Sequence, residues 1–523
     1  MRRTSEAYDP FPRVRDADAV ISFEVLAKTL NKRDISASGS AARLGSPSET
    51  VNGVPEFAAK YGTLEKYGWP LDGSCAVFPD EGSEAGFWPR EVSGADGAFS
   101  SPVTLRLELP EDTDTFGWTF HFDPKGGVRA SRIRAVCYDA GDNVTDESEA
   151  FVDGFGDGGV SGWSYNRFVR GYRAVEFTFY GTNLPHRMLR LAEVDFGITK
   201  RFTRDTITEA RIRYGMAPDG SAFPAKKIDF TFDNADGAFN VLSPAGVYQY
   251  WRNGQTLTAK LKIGGEAVDM GSFFVTRAQI GKNRLLARVT AHDACWLLAN
   301  QRFYPGSLAS LPSVRLDEAV TKALEGSDLA VDFGGLGAEP VSLRIRNTHD
   351  RRTVLRYLAQ AARAALWIDR DGVLRIRRIV TASEAAAEIT ADELYDWSGV
   401  SVAEEIAGVT LTVPRELEKD EDGEVVTEQY SAGSSDDEGN AQAAYENPCV
   451  APGRGQLVAD WLLSAANRRK KYAVKNRCDP AVEIGDTIRI ADAFRNDECA
   501  VVTGLEIVYD GGLYAVTEAD REF

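Results

Sequence analysis

Apolar and polar residues alternate along two stretches in the middle of the chain, separated by a segment rich in turn-forming residues. Such period-two alternation predicts β-strands that bury one face and expose the other. Asn, Asp and Gly, which favour turns, cluster after the first stretch and before the second. The alternating apolar positions are Ile228, Phe230 and Phe232, then Leu257, Ala259, Leu261 and Ile263. We therefore predict a β-domain around them.

The region between residues 36 and 198 has a different texture, dense in aromatic residues, Gly and Asp. Its strand-like runs are short, regularly spaced and free of helical periodicity, which predicts a β-sandwich. Residues 19–26 alternate like the stretches beyond residue 200. We therefore predict that residues 15–35 pair with those later strands and that the sandwich is inserted at an exposed turn.

The next region, residues 306–385, changes to an α/β pattern. Apolar residues recur at helical spacing over 316–324 and 353–362, and residues 348–350 are suited to cap the second of these helices. The Asp371-Gly372 pair between two apolar runs predicts a β-hairpin.

The remaining residues, 386–523, return to a β pattern with one amphipathic helix predicted over 454–471. The basic end of that helix, Arg468 to Lys471, suits a helix C-terminus. The segment 416–440 is rich in Asp and Glu, so we expect a solvated loop or a mobile hairpin.

These patterns predict a mainly β fold with α+β parts. The predicted divisions are an N-terminal arm with a first strand (1–35), an inserted β-sandwich of jelly-roll type (36–198), a first β-domain (199–305), an α/β domain (306–385) and a second β-domain (386–523).

The charge balance restricts the partners of the chain. Its 523 residues include 60 Lys and Arg against 78 Asp and Glu, a formal net charge of −18. A phosphate backbone attracts basic surfaces, so this balance argues against a nucleic-acid or anionic-membrane binder. It fits both a surface past which nucleic acid slides and ordinary solubility. No signal peptide or apolar run of bilayer-spanning length is evident, so we expect synthesis as a soluble cytosolic chain.

No motif for catalysis, a metal or a cofactor stands out. The four histidines include two His-Asp neighbours, but adjacent residues on a strand face opposite ways and form no dyad alone. Residues 153–159 have the composition of a calcium loop without its full register, which favours a plain glycine-rich loop. The scattered cysteines lack metal-binding spacing, and we expect free, mostly buried thiols. They are Cys75, Cys137, Cys295, Cys449, Cys478 and Cys499.

Four tryptophans crowd the predicted sandwich. Trp118 lies in an alternating strand and is expected in the core. Trp69, Trp88 and Trp163 stand beside Gly, Pro or Ser in a loop-like context. Aromatic faces stack on sugar rings, so these three are possible glycan contacts, with a core position as the alternative.

Three longer patterns together resemble the baseplate-hub, or tail-tip, proteins of tailed phages and prophages. The first is FDNADGAFNVLSPAGVYQYWRNGQTLTAKLKIGG with the helix–strand unit TVLRYLAQAARAALWIDRDGVLRIRR, and the second is NRCDPAVEIGDTIRIADAF followed by GLEIVYDGGLYAVTEA. The third lies within the insertion, includes TFGWTFHFDPKGGVRASRIRAVCYDAGDNV, and resembles a discoidin-type or carbohydrate-module jelly roll.

The resemblance implies a structural subunit at the tip of a virion tail, built from two related β-barrel-like hub domains. It implies a homotrimeric ring that joins the tail tube to the tip. The implied neighbours are distal tail or baseplate proteins, the tail tube, the tape-measure protein and a spike or fibre. No cofactor and no catalytic residue is implied.

Two other functions stay open at this point. The inserted sandwich favours a glycan-binding tail adhesin that contacts the host surface. The many acids leave a cell-wall hydrolase as a further alternative, because a glycosidase pair is defined by distance in space rather than by sequence. The chain ends soon after its last predicted strand with no evident peptidase or fibre extension, which argues against wall cleavage.

Overall fold

A computed structural model of the chain describes residues 20–26, 34–52, 86–122, 127–152, 162–196, 200–202, 206–235, 255–263, 266–280, 285–327, 329–396, 399–434, 441–491 and 498–522. Strands account for 53% of it and helices for 13%, which confirms the predicted mainly β fold. The calcium-like loop at 153–159, Cys75 and Trp69 lie outside the described residues.

The strands up to residue 202 are β1 (Val20–Leu26), β2 (Ser36–Gly39), β3 (Ala42–Gly45), β4 (Phe87–Pro89), β5 (Ala98–Phe122), β6 (Arg132–Tyr138), β7 (Val144–Phe151), β8 (Gly162–Gly181), β9 (Leu191–Phe196) and β10 (Lys200–Phe202).

The strands from residue 207 onward are β11 (Ile207–Gly215), β12 (Lys227–Asp233), β13 (Thr256–Ile263), β14 (Glu266–Ile280), β15 (Leu286–His292), β16 (Val314–Arg315), β17 (Val331–Asp332), β18 (Pro340–Val341), β19 (Ala365–Ile368), β20 (Leu374–Arg377), β21 (Ala387–Ile389), β22 (Gly399–Val402), β23 (Ile406–Lys419), β24 (Val425–Gly433), β25 (Ala441–Glu446), β26 (Lys470–Asn476), β27 (Thr487–Ile490), β28 (Cys499–Tyr509) and β29 (Leu513–Arg521). The α-helices are α1 (Ala294–Ala299), α2 (Leu316–Ala323), α3 (Arg351–Ala361) and α4 (Gly455–Ala466).

The chain divides into two compact units. Unit 2 is one continuous segment, Val25–Lys200, and unit 1 combines Met1–Glu24 with Arg201–Phe523. Unit 1 is therefore split in sequence by unit 2. The finer boundaries expected at residues 305 and 385 stay predictions.

Unit 2 is a β-sandwich whose two sheets share the long strands β5 and β8. The register between them shifts at Glu108, Thr113 and Thr115, which divides each strand into two halves. The first half of β5 pairs with β2 and with the second half of β8, which continues to β6 and β7. The second half of β5 pairs with β9 and the first half of β8. Strands that pass from one sheet to the other in this way make the corners of a sandwich.

Aromatic rings fill the space between these two sheets. Phe120, from the second half of β5, lies edge-on to Phe177 of the other sheet, with ring centroids 4.9 Å apart. Trp118 meets the same ring at 5.3 Å. Both Trp118 and Phe120 are completely buried. Edge-to-face pairs of this kind add stability beyond the apolar area they bury, so these rings define the core of unit 2.

Unit 1 contains a sheet of thirteen strands. Along its main path the order is β10-β1-β13-β14-β15-β12-β11-β28-β29-β26-β22, and β27 joins β28 to β21. The alternation predicted at 227–263 becomes β12 and β13, with Ile228, Phe230, Phe232, Leu257, Ala259 and Leu261 buried. The strand before the insertion, β1, lies between β10 and β13.

Each half of this sheet curls into a barrel-like shape. In the first half, the ring of Phe202 on β10 packs 4.3 Å from that of Phe232, although β10 and β12 lie five strands apart in the sheet order. In the second half, β21 pairs with β27, and the chain then continues to β22, which pairs with β26. The segment from β21 to β22 thus connects the two ends of that half.

The α/β region has its own apolar core. Leu316, Val320, Leu355 and Leu358 of α2 and α3 are fully buried there against β19 and β20. The predicted hairpin at Asp371-Gly372 is the β19–β20 turn, where Gly372 has a φ of +76°. The same core takes in apolar residues of β23 and α4, which the sequence had grouped with the second β-domain. No sequence pattern marks the surface on which such a hairpin packs.

The predicted helix 454–471 is too long at its C-terminus. Helix α4 ends at Ala466, and Lys470 and Lys471 begin strand β26. Arg468 does not serve the helix end; its guanidinium is buried against Asp520, with Nε 2.7 Å from Oδ1. Pairing with β29 and this ion pair outweigh the small gain that basic residues make at a helix C-terminus.

Candidate functional site

The acidic segment expected as a loop or hairpin is in part a hairpin. Strands β23 and β24 pair from Gly408↔Gly433 to Lys419↔Val425, and residues 435–440 lie outside the described residues. Near its turn, this hairpin is bound to the segment before α3. There the Glu416 carboxylate lies 2.7 Å from His349 Nε2 and accepts a hydrogen bond from the Arg346 amide. The Glu416 contact raises the pKa of His349 above its usual value.

Two of the other histidines make separate structural contacts. His121 Nε2 lies 2.7 Å from Asp195 in unit 2, and His292 Nδ1 lies 3.0 Å from the hydroxyl of Thr276. The neighbour of His292, Asp293, instead caps α1 by accepting from the amide of Cys295. Asp350, which follows His349, caps α3 through the amide and hydroxyl of Thr353, as its position in the sequence indicated. In each His-Asp pair, the histidine and the aspartate therefore contact different residues and do not form a dyad with each other.

Within the described part of the chain, no group of three or more His, Cys, Asp or Glu side chains is placed to hold a metal ion. Cys137, Cys295, Cys449 and Cys478 are free and buried, and Cys499 is half-buried. Burial raises the pKa of Cys137 and of Cys478 to about 12, so neither is a thiolate at neutral pH. No described helix has both the length and the apolar character of a membrane span.

The tryptophans proposed as glycan contacts differ in placement. Trp88 lies in β4 rather than in a loop and is only 3% exposed, with the guanidinium of Arg190 over its ring at 5.1 Å. Of the two positions that the sequence left open for Trp88, the structure therefore has the core position. Trp163 is half-buried at the start of β8, against Phe120 and Tyr165. Its glycan contact stays a prediction, as does that of Trp69.

Unit 1 contains a buried charged junction that the sequence did not indicate. The Arg370 guanidinium donates to the hydroxyl of Tyr214 on β11 and to the carbonyls of Pro480 and Val482, which precede β27. The junction therefore joins the first half of the sheet, the β19–β20 turn and the second half. A charged residue in a predicted turn is normally exposed, so no sequence signal marked Arg370.

Lys226 lies in the same junction and is buried to the same degree as Arg370. Its ammonium donates to the carbonyl of Asp369 at 3.1 Å and lies 5.3 Å from the ring of Tyr214. Burial lowers the pKa of Lys226 to about 8 and raises the pKa of Asp293 to about 6. Buried charges of this kind stabilise only when their partners are in place, which fixes the relative positions of the elements that supply them.

The two halves of the unit 1 sheet meet at one strand pair. Strands β11 and β28 pair antiparallel over six positions, from Ala210↔Tyr509 to Gly215↔Gly504. The main path of the sheet ends at β10 on one side and at β22 on the other. Strand edges without a partner accept strands from other chains, so these two ends of the described sheet are candidate assembly surfaces.

No protein-family model matches the chain, and no curated protein matches it. Among solved structures, the chain is similar to a tail protein from Neisseria meningitidis, with a TM-score of 0.44 and 11% identity over 62% of this chain and 94% of that protein. It is also similar to the 43 kDa tail protein of prophage MuSo2 from Shewanella oneidensis, with a TM-score of 0.44 and 16% identity over 62% of this chain and 96% of that one.

A shorter similarity involves a fucose-binding module from Streptococcus pneumoniae, with a TM-score of 0.20 and 15% identity. It covers 32% of this chain and 94% of the module. The likeness to tail proteins that three sequence patterns indicated is thus confirmed as a similarity to solved tail proteins.

Proposed function

We propose that this chain is a non-enzymatic hub subunit at the tip of a phage tail or phage-tail-like particle. In this proposal it forms a homotrimeric ring that joins the tail tube to the tip. Its partners are copies of itself, distal tail or baseplate proteins, the tail tube, the tape-measure protein and a spike or fibre. Its similarity to solved tail proteins agrees with this role.

The observation that supports the proposal most is the double β module of unit 1. Two barrel-like halves share one antiparallel sheet through β11 and β28, and that sheet still ends in strand edges. Three such subunits supply six modules, which suits a collar on a hexameric tube. A subunit that presents different surfaces at its two ends joins head to tail, and such contacts close into rings when the rotation allows.

The buried junction around Arg370 suits the same role. A ring subunit has to hold its two modules at a fixed angle, because a small error in each copy prevents closure. Directional hydrogen bonds from one guanidinium to Tyr214 and to the Val482 carbonyl fix that angle more narrowly than apolar contact does. The net charge of −18 also suits a conduit for DNA, since basic walls bind phosphates.

Mass photometry and negative-stain imaging of the purified chain test this proposal. We expect trimers that appear as rings, either alone or after addition of rings of the cognate tail-tube protein. A chain that stays monomeric both alone and with tube rings contradicts the hub role. Release of soluble fragments from peptidoglycan by the purified chain would replace it with a hydrolase.

A second candidate function, glycan binding, concerns unit 2 alone. The half-buried Trp163 leaves part of its ring free for a sugar, whereas the buried Trp88 does not. A glycan array probed with the full chain and with Trp163→Ala tests this function. We expect loss of binding in Trp163→Ala with retained folding, and equal binding by both proteins would remove Trp163 as a contact. Trp69→Ala extends the test to the tryptophan outside the described residues.

A further inference from the structure

We propose that the free edge of β22 is the surface through which one copy of this chain pairs with a second copy, strand against strand. The inference rests on the proposed hub function and adds the residues at which copies meet. Strand β22 ends the main path of the sheet and pairs only with β26 among the described strands. All four of its residues, Gly399 to Val402, are exposed.

The side chains of β22 lack the cover expected on their face of the sheet. Val400 lies directly opposite Tyr472 and Val402 directly opposite Lys470, so each valine shares a face with its opposite residue. That face buries Tyr472, which is 4% exposed, yet Val400 and Val402 are 43% and 50% exposed. The apolar face of the sheet therefore continues one strand beyond the part of the core that the described residues cover.

The backbone of the same two residues points away from β26. The amide of Ala403 donates to the Arg469 carbonyl at 2.8 Å, which makes this a hydrogen-bonded pair of the ladder. Inward and outward residues alternate in an antiparallel pair, so Ser401 and Gly399 also face β26. The N–H and C=O groups of Val400 and Val402 consequently face the free edge.

Nothing in β22 discourages pairing. Natural edge strands are commonly blunted by charged residues, proline or bulges, and Gly-Val-Ser-Val contains none of these. Edge strand β7 of unit 2 shows the opposite pattern. Its acids Glu147 and Glu149 pair with arginines of the adjacent strand β6, and Asp146 pairs with Arg167 of β8. Of these two described edges, β7 is therefore charged and β22 is uncharged.

The joint between β11 and β28 argues for a second copy as the occupant. Within one chain, the first half of the sheet already accepts the second half by antiparallel edge pairing. The second half still has a free edge at β22, and the first half ends at β10. In a second copy, the first half of the sheet offers its end strand β10. The second half already pairs with a first-half strand within one chain, so the β10 edge of another copy is a suitable partner for β22. Repetition of this step is head to tail, as a ring requires.

Proline substitution tests the edge without breaking the ladder to β26. Val400→Pro with Val402→Pro removes two outward N–H groups, and proline is tolerated at such positions of an edge strand. Ser401→Pro removes an N–H group that faces β26, so this variant shows what damage to the fold looks like in the same assays. A second pair compares Val402→Lys with Val380→Lys, since Val380 is 73% exposed and lies outside any strand.

Sedimentation velocity over a concentration series, with far-UV circular dichroism to check folding, gives the readout. We expect the double proline variant and Val402→Lys to need at least about tenfold higher concentration for half-assembly. Val380→Lys should match the unaltered chain. Hydrogen exchange of the unaltered chain provides a test that does not depend on any variant: the Val400 and Val402 amides should become protected as assembly proceeds.

The outcomes separate this inference from the hub function. An unaltered chain that assembles while its double proline variant assembles equally well, with the two valine amides still exchanging fast, overturns the β22 edge and leaves the hub standing. An unaltered chain that stays monomeric throughout the series overturns the inference as stated. The separate arm with tail-tube rings then decides the hub function.

Discussion

Both units of this chain bury one face of a twisted sheet, but they differ in the residues that do so. Unit 2 closes its sandwich around aromatic rings such as Phe120 and Phe177, and its edge strand β7 carries paired charges. Unit 1 places charged residues such as Arg370 inside, between its modules, and leaves β22 without charge at its edge. Apolar packing stabilises a domain without fixing the orientation of its elements. Buried charges that are hydrogen-bonded do fix that orientation, and their stabilising effect depends on every partner being present. Unit 2 also buries the charged residues Arg190 and Glu193, so the clearer contrast lies in the edges, charged at β7 and uncharged at β22.

The largest effect should come from breaking the buried ion pair of unit 1. Asp520→Ala leaves the buried Arg468 without its carboxylate and removes an acceptor from Lys471. Because an uncompensated buried charge is costly, we expect about 4 kcal/mol lower free energy of unfolding, measured by chemical denaturation. Arg468→Met combined with Asp520→Leu is the control and should restore most of the loss. A loss below about 1 kcal/mol in the single variant would contradict the charged-core description of unit 1.

Removing one ring tests the aromatic core of unit 2. Phe177→Ala takes away the ring that meets both Trp118 and Phe120, and neighbouring rings can fill the cavity only in part. We expect about 3 kcal/mol of destabilisation, with faster hydrogen exchange in Val25–Lys200 and unchanged exchange in the sheet of unit 1. Equal loosening of both units would show that the cores are not independent.

The hairpin bound by His349 and Glu416 should depend on pH. The pKa of His349 is raised, so its contribution is complete below the ordinary histidine value of 6.5 and is lost as the pH rises through the raised value. The pKa of Glu416 is lowered despite burial, chiefly by its hydrogen bond to His349, so its contribution is lost as the pH falls below 4.5. The pair should therefore stabilise the β23–β24 hairpin most between the ordinary pKa values of 4.5 for Glu and 6.5 for His.

We expect the hairpin to lose about 1–2 kcal/mol of local stability as the pH rises from 6 past the raised pKa. Hydrogen exchange of β24 amides, corrected for intrinsic rates, measures this change. His349→Gln should flatten the pH dependence, and a slope that persists in this variant would assign it to another group.

The smallest effect on folding should come from the charged edge of unit 2. Arg132 and Glu149 are each more than a third exposed, so replacing Glu149 together with Glu147 by valine should change the free energy of unfolding by less than about 1 kcal/mol. The same change removes charge from β7 and should make the chain self-associate through unit 2, seen by light scattering. No new association would mean that charge is not what keeps this edge unpaired.

The elements themselves were largely predictable, because they depend on local periodicity. Alternation predicted β12 and β13, helical spacing predicted α2 and α3, and Asp371-Gly372 predicted the β19–β20 turn. The end of α4 was wrong because Arg468 finds its partner Asp520 far away in sequence. The sequence left Trp88 open between a core and an exposed position, because its burial depends on distant residues such as Arg190.

By itself the sequence determined the mainly β character, the change of texture between residues 36 and 198 and the likeness to tail proteins, because periodicity and residue order are written along the chain. Only the tertiary structure decided that Arg370 is buried, that β23 and α4 pack on the α/β core and that β22 ends the main path of the described sheet. These features depend on which distant residues meet. A short exposed strand and a short buried one look alike until their neighbours are known.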